Sequence, residues 1–268
     1  MESSEINGLN LLRFKKIAPD WPLIHALSSR TGGVSPSPFA SLNMGFNTGD
    51  RPENVICNRK LLCAAAGLPQ SRFAAMRQDH TANIKVIKSK NDLSGFDDPQ
   101  KALSGVDAMV TNLRGTTLMA MSADCAVTLF YDPVNNALAT VHSGWRGAFL
   151  NIHSCVVKTM AQKYGTRPED LFAGIGPCIS VENYEVGSEL IEKLQKLYPA
   201  DTAKRFYRIK HGKYFLSLES LLEYQMESLG VKNIEKAGMC TFASSELFYS
   251  YRRDGPRTGR FGLFTCLS

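Results

Sequence analysis

Apolar and polar residues alternate along this chain in patterns that predict both strands and helices. Strand-like runs cover residues 84–87, 117–122, 127–131, 137–141, 171–175 and 261–267. Asp132-Pro133 and Asn135-Asn136 separate the runs 127–131 and 137–141, so these two strands are expected to form a hairpin.

Helical apolar spacing covers residues 147–164, 186–197 and 218–229. Another helix is predicted to start at Asp50-Arg51-Pro52-Glu53, with Asp50 as N-cap and Pro52 in the first turn, and to end at Gly67. Residues 193–214, rich in Lys and Tyr, are predicted to be a surface excursion. Hairpins mixed with helices favour an α+β fold over a doubly wound parallel sheet, and residues 1–268 are expected to form one domain.

The amino-acid composition excludes several classes of protein. The 268 residues are 44% hydrophobic and 21% charged, which supplies enough apolar surface to exclude disorder. The longest apolar stretch, 118–131, is interrupted by Asp124 and is too short to cross a bilayer. No signal-peptide pattern opens the sequence, so we expect a cytoplasmic protein. The net charge of +6 permits an anionic substrate without demanding nucleic acid, and no obligate protein partner is evident.

Seven cysteines are scattered along the chain without a Cys-x-x-Cys pair. A zinc finger or a thioredoxin-like motif therefore has no support, and a chain of this length needs no disulfides to fold. Most of these thiols are expected to be small buried core residues.

Two short segments carry candidate chemistry. Asp124-Cys125 lies between two very apolar strands, where a carboxylate is rare unless it is paired or coordinating; an isolated Ala-Asp-Cys is also typical of a turn Asp beside a core cysteine. In His142-Ser143-Gly144-Trp145-Arg146-Gly147, a glycine-flanked turn joins a strand to a helix, an arrangement that aims backbone N–H groups at an anion while Arg146 adds a cation. The alternative is a tight turn in which Gly144 and Gly147 only supply a positive φ.

His80, in the segment 77–80, adds a second imidazole. Together His80, Cys125 and His142 offer the three protein ligands of a catalytic zinc site with an open fourth position. Their wide separation in the sequence provides no local signature, and a surface or capping role for His80 stays open.

Arginines form two further groups. Arg59 shares an apolar helical stripe with Val55 and Leu62, so it is expected to pair with an anion, either a structural carboxylate or a substrate phosphate or ribose. Residues 252–260 contain four arginines beside glycines, a pattern that fits a site-lining loop as well as a solvated face.

With these residues assembled, the sequence resembles the YfiH family, whose members are also described as laccase-like polyphenol oxidases. Ten matching blocks run in order along nearly the whole chain, among them 29–35, 41–43, Asn58-Arg59, Gln78-x-His80, Ala123-Asp124-Cys125, His142 to Gly147, 174–179, 184–187, Cys240-Thr241 and 248–254. One departure is that Asp79 and Thr81 flank His80, where the family usually has an apolar residue and a glycine, which affects the surroundings of this histidine.

The resemblance implies a layered α/β/β/α fold with mixed and antiparallel sheets, distantly similar to toxin deamidases of the cytotoxic necrotising factor class. It also implies a zinc ion bound by His80, Cys125 and His142. The implied reaction is phosphorolysis of purine nucleosides (adenosine, inosine, guanosine or methylthioadenosine) to the free base and a ribose 1-phosphate, with adenosine deamination as a side activity.

Within that reaction, Arg146 and the Gly144 to Gly147 turn are hypothesised to hold phosphate, with Arg30 or Arg59 assisting. Asp124 would fix a ligand or a donor near the zinc. Gln78 and Asn43 are candidates for hydrogen bonds to the substrate.

The same residues are compatible with three other functions to different degrees. A copper-binding polyphenol oxidase, with Cu²⁺ in place of Zn²⁺, is limited by the five histidines, too few for a four-copper cluster; His153 among them is expected in the core. A cysteine hydrolase or deamidase would use Cys125 as nucleophile with His142 or His80 as base. A non-catalytic binding module would leave clustered charged residues unexplained, and the cytidine-deaminase motif is absent.

Overall fold

The computed structural model describes residues 1–268. Its strands, in chain order, are β1 (Glu2–Ile6), β2 (Leu9–Arg13), β3 (Leu23–Ser28), β4 (Phe73–Ala75), β5 (Ile84–Val86), β6 (Ala108–Thr111), β7 (Thr117–Ser122), β8 (Ala126–Asp132), β9 (Ala137–Ser143), β10 (Phe172–Ile175), β11 (Glu185–Val186), β12 (Tyr207–Lys210), β13 (Lys213–Leu216), β14 (Asn233–Lys236) and β15 (Phe261–Leu267). The α-helices are α1 (Pro52–Ala66), α2 (Trp145–Phe149), α3 (Ile152–Tyr164), α4 (Ser188–Leu197), α5 (Ala200–Ala203), α6 (Leu218–Ser228) and α7 (Tyr251–Asp254). None of these helices combines the length and the apolar character that crossing a membrane requires.

The strands form two six-stranded mixed sheets and one small sheet. The first sheet has the order β1-β2-β3-β15-β7-β4, and the second has the order β14-β10-β8-β9-β6-β5. Most neighbours are antiparallel, whereas the pairs β4–β7, β5–β6 and β10–β14 are parallel. The hairpin of β8 and β9 is the one expected from the turn residues between them.

The two large sheets pack face to face, with helices outside each sheet. Leu118 of β7 and Leu129 of β8 belong to the apolar layer between the sheets. Met119, the neighbour of Leu118, packs on the other face with Leu62 of α1, because successive side chains of a strand point to opposite faces. Val141 of β9 packs with α3 and α6 outside the second sheet. This arrangement confirms the expected layered α/β/β/α fold.

Helix α1 begins and ends for the reasons visible in its sequence, with one difference. Pro52 occupies the first helical position and Gly67 closes the helix with a left-handed φ of 69°. The N-cap is Arg51 rather than Asp50. Asp50 instead accepts hydrogen bonds from the Arg51 backbone N–H and from the Asn54 side chain, at 2.8 and 2.9 Å, so its carboxylate still satisfies donors at the helix start.

The helix expected over 147–164 is two helices, and that prediction is wrong in its continuity. Asn151 separates α2 from α3 with a φ of 54°, and its side chain caps α3 by accepting from the Ser154 N–H at 3.3 Å. Asparagine is one of the few residues that adopts the left-handed conformation readily, so apolar periodicity alone did not reveal the break.

The segment 193–214 contains the end of α4, helix α5 and most of the hairpin β12–β13. Ile209 at this hairpin is 62% exposed, but Leu194, Ala203 and Phe206 of the same segment are buried in the core. The prediction of a surface excursion therefore holds for the hairpin and is wrong for the helical part of the segment. Helix α4 begins at Ser188 rather than at 186 because Val186 pairs with β13 in the small sheet.

Burial of a histidine makes the fold sensitive to acid. His153 on α3 has no exposed surface, as expected of a core residue, and its ring meets the Phe130 ring edge-on with 5.3 Å between centroids. Burial lowers the pKa of His153 to about 3. An unfolded histidine, with a pKa of about 6.5, therefore binds a proton at pH values where the folded one does not.

Because the unfolded chain then binds more protons, stability is lost as the pH falls below about 6.5. We expect His153 to remove about 2 kcal/mol from the free energy of unfolding between pH 7 and pH 5. His153→Leu should lose this part of the pH dependence in urea unfolding, whereas His211→Gln, at an exposed position, should keep it. An unchanged pH dependence in His153→Leu would contradict the prediction.

Candidate active site

A cavity of about 820 Å³ opens where strands β4, β7 and β9 end. Its lining includes the loop after β4, the turn after β7, the turn after β9 and the segment before β15, together with residues 45–48, Arg59 of α1, parts of the segment 95–102 and Tyr184. The layered fold therefore brings chain segments that are far apart in sequence to one end of the two-sheet sandwich.

His80, Cys125 and His142 meet in this cavity. Their possible ligand atoms all lie within 4.8 Å of one another, which places three separated elements around one point. His80 belongs to the loop between β4 and β5, Cys125 to the turn between β7 and β8, and His142 to the end of β9. The convergence expected of these three residues is found.

The carboxylate of Asp107 orients the most buried of the three. Its Oδ1 atom lies 2.8 Å from His142 Nδ1, which leaves Nε2 of that ring to face the cluster. Burial by itself lowers the pKa of His142, but the Cys125 thiolate and the hydrogen bond with Asp107 raise it to about 9.

Asp107 also holds the loop that carries His80. Its Oδ1 accepts the His80 backbone N–H at 3.2 Å, and its Oδ2 accepts the Thr81 N–H at 2.6 Å and the Thr81 hydroxyl at 2.9 Å. His80 itself adopts a left-handed φ of 58°, so the loop needs this support. Burial and the charge of His142 lower the pKa of His80, which keeps its ring available as a neutral ligand.

Gly144 leaves the space that the cluster occupies. A Cβ on this glycine would lie 2.8 Å from Cys125 Sγ and 3.1 Å from His80 Nδ1. Gly144 has a φ of −81°, and Gly147 is likewise not among the positive-φ glycines, so the alternative that both only supply a positive φ is wrong. Gly144 permits close approach of the backbone to the cluster instead.

The cluster fits a bound metal ion. Two imidazoles and one thiolate suit zinc, with a fourth position open to the cavity, and a carboxylate that hydrogen-bonds a ligand histidine is the usual support of such sites. The donor set also suits copper, so the ligand types do not by themselves select one metal.

Asp124 lies beside Cys125 but faces another part of the site. Its Oδ1 accepts the Thr241 hydroxyl at 2.7 Å and its Oδ2 accepts the Arg252 backbone N–H at 2.6 Å. It adopts a positive φ of 106°, an uncommon conformation for a side chain with a Cβ. The expected role of fixing a metal ligand falls to Asp107, and Asp124 fixes the segment that contains Arg252.

Arg146 lies at the cavity with its guanidinium 4.5 Å from the centroid of the Trp145 ring. No carboxylate forms an ion pair with it. Helix α2, which starts at this turn, has only five residues. The anion-binding character expected of the turn therefore depends on the Arg146 side chain more than on a helix dipole, which needs a longer helix.

All N–H donors of the Arg59 side chain have partners inside the protein. Its guanidinium donates to the carbonyls of Met44, Gly95 and Phe96 and to the sulfur of Met121. These bonds use its five N–H donors, so the expectation that Arg59 pairs with an anion is wrong. Its partners are backbone carbonyls that tie loops to α1.

Arg30 and Asn43 lie outside the cavity lining. Arg30 donates to the carbonyls of Ala40 and Ser245 and stacks on Tyr249. Asn43 is buried and holds the backbone of Gly45 and Arg260. Both residues stabilise loops around the site, in contrast to the expected contacts with phosphate or substrate.

Gln78 lines the cavity, yet both ends of its amide are occupied. Its Nε2 donates to the Met121 carbonyl and its Oε1 accepts the Met121 N–H, each at 2.7 Å. This pair of bonds fastens the His80 loop to the end of β7. A substrate would have to share these amide groups with Met121. Gln78 therefore serves to hold the His80 loop in place.

Sequence reasoning missed Asp107 and Phe46, and it gave no role to three further aromatic residues of the cavity, Trp145, Tyr184 and Tyr251. The available signal for Asp107 was a single charge directly before the apolar run 108–110.

The carboxylate of Asp79, the neighbour of His80, accepts the Gly105 N–H at 2.7 Å, and it makes no contact with the imidazole. The expected buried state of most cysteines holds only for Cys63, Cys178 and Cys266.

The remaining histidines lie elsewhere. His25 is on β3, where its Nε2 accepts the Phe14 N–H at 2.9 Å. His153 is in the core and His211 belongs to the exposed hairpin. Only two imidazoles therefore reach the cavity, fewer than a four-copper centre requires.

Comparison with known proteins adds a family. The family model described as multi-copper polyphenol oxidoreductase laccase matches residues 24–268. The purine nucleoside phosphorylase YfiH of Shigella flexneri is 36% identical over 258 residues, which cover 94% of this chain and 99% of that protein. The purine nucleoside phosphorylase YlmD of Bacillus subtilis is 30% identical over 244 residues, covering 90% of this chain and 87% of that protein.

Solved structures agree with the fold. The crystal structure of the Bacillus licheniformis hypothetical protein YfiH superposes with a TM-score of 0.89 at 30% identity, covering 98% of this chain and 97% of the other. The crystal structure of YlmD from Geobacillus stearothermophilus gives a TM-score of 0.90 at 31% identity, with 98% and 97% covered.

The double contact of Asp107 generates a prediction about metal affinity. Asp107→Asn removes the charge that orients His142 and weakens the support of the His80 loop, so zinc affinity should fall about 10- to 100-fold. Competition with a chromophoric chelator measures this directly. Asp79→Asn, which alters a carboxylate adjacent to His80 in sequence, should leave the affinity unchanged; an equal loss in both variants would contradict the assigned role of Asp107.

Proposed function

The chain belongs to the YfiH family, and from this premise we propose that it is a zinc-dependent purine nucleoside phosphorylase. Its substrates would be adenosine, inosine, guanosine or methylthioadenosine together with phosphate. The observation that carries the proposal is the meeting of His80, Cys125 and His142 beside the unpaired cation Arg146 in one cavity. Relatives that match over most of their length carry the name purine nucleoside phosphorylase.

In the proposed reaction, a phosphate oxygen forms a bond to C1′ of the sugar while the bond from C1′ to the purine nitrogen breaks. The sugar leaves as its 1-phosphate, and the base takes up the proton that the hydrogenphosphate ion loses on forming the ester. The protein must hold an anionic nucleophile, orient the nucleoside and keep both near C1′. A cavity of about 820 Å³ lies within the size range of small-molecule sites.

His80, Cys125 and His142 would hold the metal. When bound, a zinc ion there would supply Lewis-acid polarisation of an oxygen, or a hydroxide at neutral pH. Asp107 keeps the His142 ring turned toward the cluster through the bond to Nδ1. Gly144 keeps side-chain atoms out of the space between Cys125 and His80.

Arg146 is proposed to bind the phosphate. Its planar guanidinium presents donors in a fork that matches phosphate oxygens, and its stacking on Trp145 limits the orientations that it adopts. Because no carboxylate neutralises it, its charge is available to an anionic substrate. Gly144 and Gly147 flank it in the same turn, but both are buried and neither lines the cavity, so the expected phosphate contact is assigned to the Arg146 side chain.

Adenosine deamination would use the same cluster with water in place of phosphate. A different candidate is a cysteine hydrolase, which the proximity of Cys125 to His142 favours, since the thiolate raises the pKa of that histidine. A thiolate that binds zinc is a poor free nucleophile, so metal content separates the two functions. Oxidation by a four-copper centre is disfavoured because only two imidazoles line the cavity.

Product analysis tests the proposed function. Metal-analysed protein incubated with adenosine and phosphate should release adenine and ribose 1-phosphate, identified by mass. Cys125→Ala should lose both zinc and turnover, whereas Cys57→Ala, on α1 and away from the cavity, should keep both. Inosine as the product with and without phosphate would point to deamination, and full activity in Cys125→Ala would rule out the assigned site.

Arg146→Ala should raise the KM for phosphate by about tenfold or more, the loss expected for one charge-assisted contact. The KM for adenosine should change much less, because adenosine carries no negative charge for the Arg146 guanidinium to neutralise. Lys193→Ala removes a cation that also lies over the Trp145 ring, at 5.5 Å, but outside the cavity lining. Steady-state kinetics that give the same phosphate KM in both variants would contradict the role of Arg146.

A further inference from the structure

The segment from Ser250 to Arg260 brings two further guanidinium groups to the cavity. Arg252 lies on the short helix α7, and Arg260 directly precedes β15. Neither takes part in an ion pair, in contrast to Arg253 of the same helix, which pairs with Asp254 at 2.7 Å. Two cations thus share the cavity with Arg146 and lack carboxylate partners.

Both guanidiniums keep donors free. Arg260 donates only through Nη1, to the carbonyls of Thr258 and Gly259 at 2.7 and 2.9 Å. Arg252 donates only through Nη1 as well, to the Glu185 carbonyl at 2.7 Å. Each guanidinium therefore retains Nε and Nη2 donors without a partner in the protein.

Aromatic rings fix the planes of these groups. The guanidinium of Arg252 lies 5.1 Å from the centroid of the Tyr184 ring, and that of Arg260 lies 6.0 Å from the centroid of the Tyr251 ring. Tyr184 and Tyr251 also line the cavity. Stacking against a ring restricts an arginine while leaving its edge free to donate.

Asp124 ties this segment to the metal cluster. It accepts the Arg252 N–H at 2.6 Å and the Thr241 hydroxyl at 2.7 Å, and the next residue is the cluster cysteine, Cys125. The carboxylate is thereby occupied with neutral donors and does not pair with either guanidinium. The other acidic residue of the cavity, Asp79, lies 3.5 Å from Arg77.

We propose that Arg252 and Arg260 form an anion subsite for a phosphate group, in which Asp124 holds the backbone of Arg252 and Asn43 holds the backbone of Arg260. The ligand is inorganic phosphate or the phosphate of a sugar 1-phosphate, since both present the oxygens that a guanidinium fork binds. The inference rests on the proposed phosphorolysis for the choice of ligand, and it adds two residues and a positioning carboxylate to the site. Arg146 lines the same cavity and is a third cation without a carboxylate partner.

Direct binding measurements test the subsite. Zinc-loaded protein is titrated by calorimetry with inorganic phosphate and, separately, with ribose 1-phosphate. Arg252→Gln and Arg260→Gln should each weaken the binding of both ligands by about tenfold or more. Arg257→Gln, which removes a cation from the same segment outside the cavity lining, should bind like the unmodified chain.

A folding defect is separated from a binding defect by a second variant. If Arg260→Gln unfolds, Arg260→Lys keeps the charge but loses the fork, and binding should weaken again while circular dichroism stays native. Equal phosphate affinity in the Arg252, Arg257 and Arg260 variants, or no binding of either ligand to the unmodified chain, would overturn the subsite.

The outcome also distinguishes this inference from the proposed function. If phosphate binds through Arg252 and Arg260 but adenosine gives no ribose 1-phosphate, phosphorolysis fails and the subsite stands. If ribose 1-phosphate forms with an unchanged phosphate KM in both arginine variants, the subsite fails and phosphorolysis stands.

Discussion

The site depends on one buried carboxylate that holds two of the three cluster residues. Asp107 bonds the His142 ring through one oxygen and the backbone of the His80 loop through both. A loop with left-handed residues and no regular hydrogen bonding would otherwise sample many conformations, and a histidine ring would rotate freely. The same carboxylate therefore hydrogen-bonds both histidine-carrying elements and holds them next to each other. Asp107 is itself held in place because it directly precedes β6, a strand of a buried sheet.

A second carboxylate, Asp124, performs the corresponding task for the positive side of the cavity. It fixes the segment carrying Arg252 while its neighbour Cys125 belongs to the cluster. The turn between β7 and β8 is thus shared by the candidate metal ligands and the arginines. An anion bound by those arginines would lie near the metal because two adjacent residues of one tight turn serve both groups.

The two descriptions attached to this family imply different chemistry, and the placement of the histidines separates them. A multicopper oxidase needs many imidazoles in close proximity, whereas His25, His153 and His211 lie in a strand, in the core and in an exposed hairpin. A cavity with one His-Cys-His cluster and three arginines that have neither a carboxylate partner nor a full set of hydrogen bonds suits a single ion next to an anionic substrate. The small number of imidazoles and the free arginines of the cavity therefore agree better with the relatives named purine nucleoside phosphorylase than with the family model described as a multi-copper laccase.

Local sequence determined much of the architecture. Apolar runs identified β7, β8, β9, β10 and β15, the turn residues identified the β8–β9 hairpin, and Pro52 and Gly67 delimited α1, because these features depend on near neighbours in the chain. Two of the cluster residues, Cys125 and His142, could also be identified from the sequence, because polar or reactive side chains lie next to apolar strands at these positions. What the sequence left open depended on contacts between distant segments.

Only the tertiary structure decided which polar groups have partners. Arg59, Arg30 and Asn43 looked like ligands for a substrate, yet backbone carbonyls and amides from other loops occupy their hydrogen-bonding groups. Asp107 looked unremarkable, yet it holds the centre of the site. The type of a side chain determines what it is able to bind. Whether its donors are available depends on how the folded chain satisfies its own buried polar groups. The donors that stay free are therefore decided by the three-dimensional arrangement.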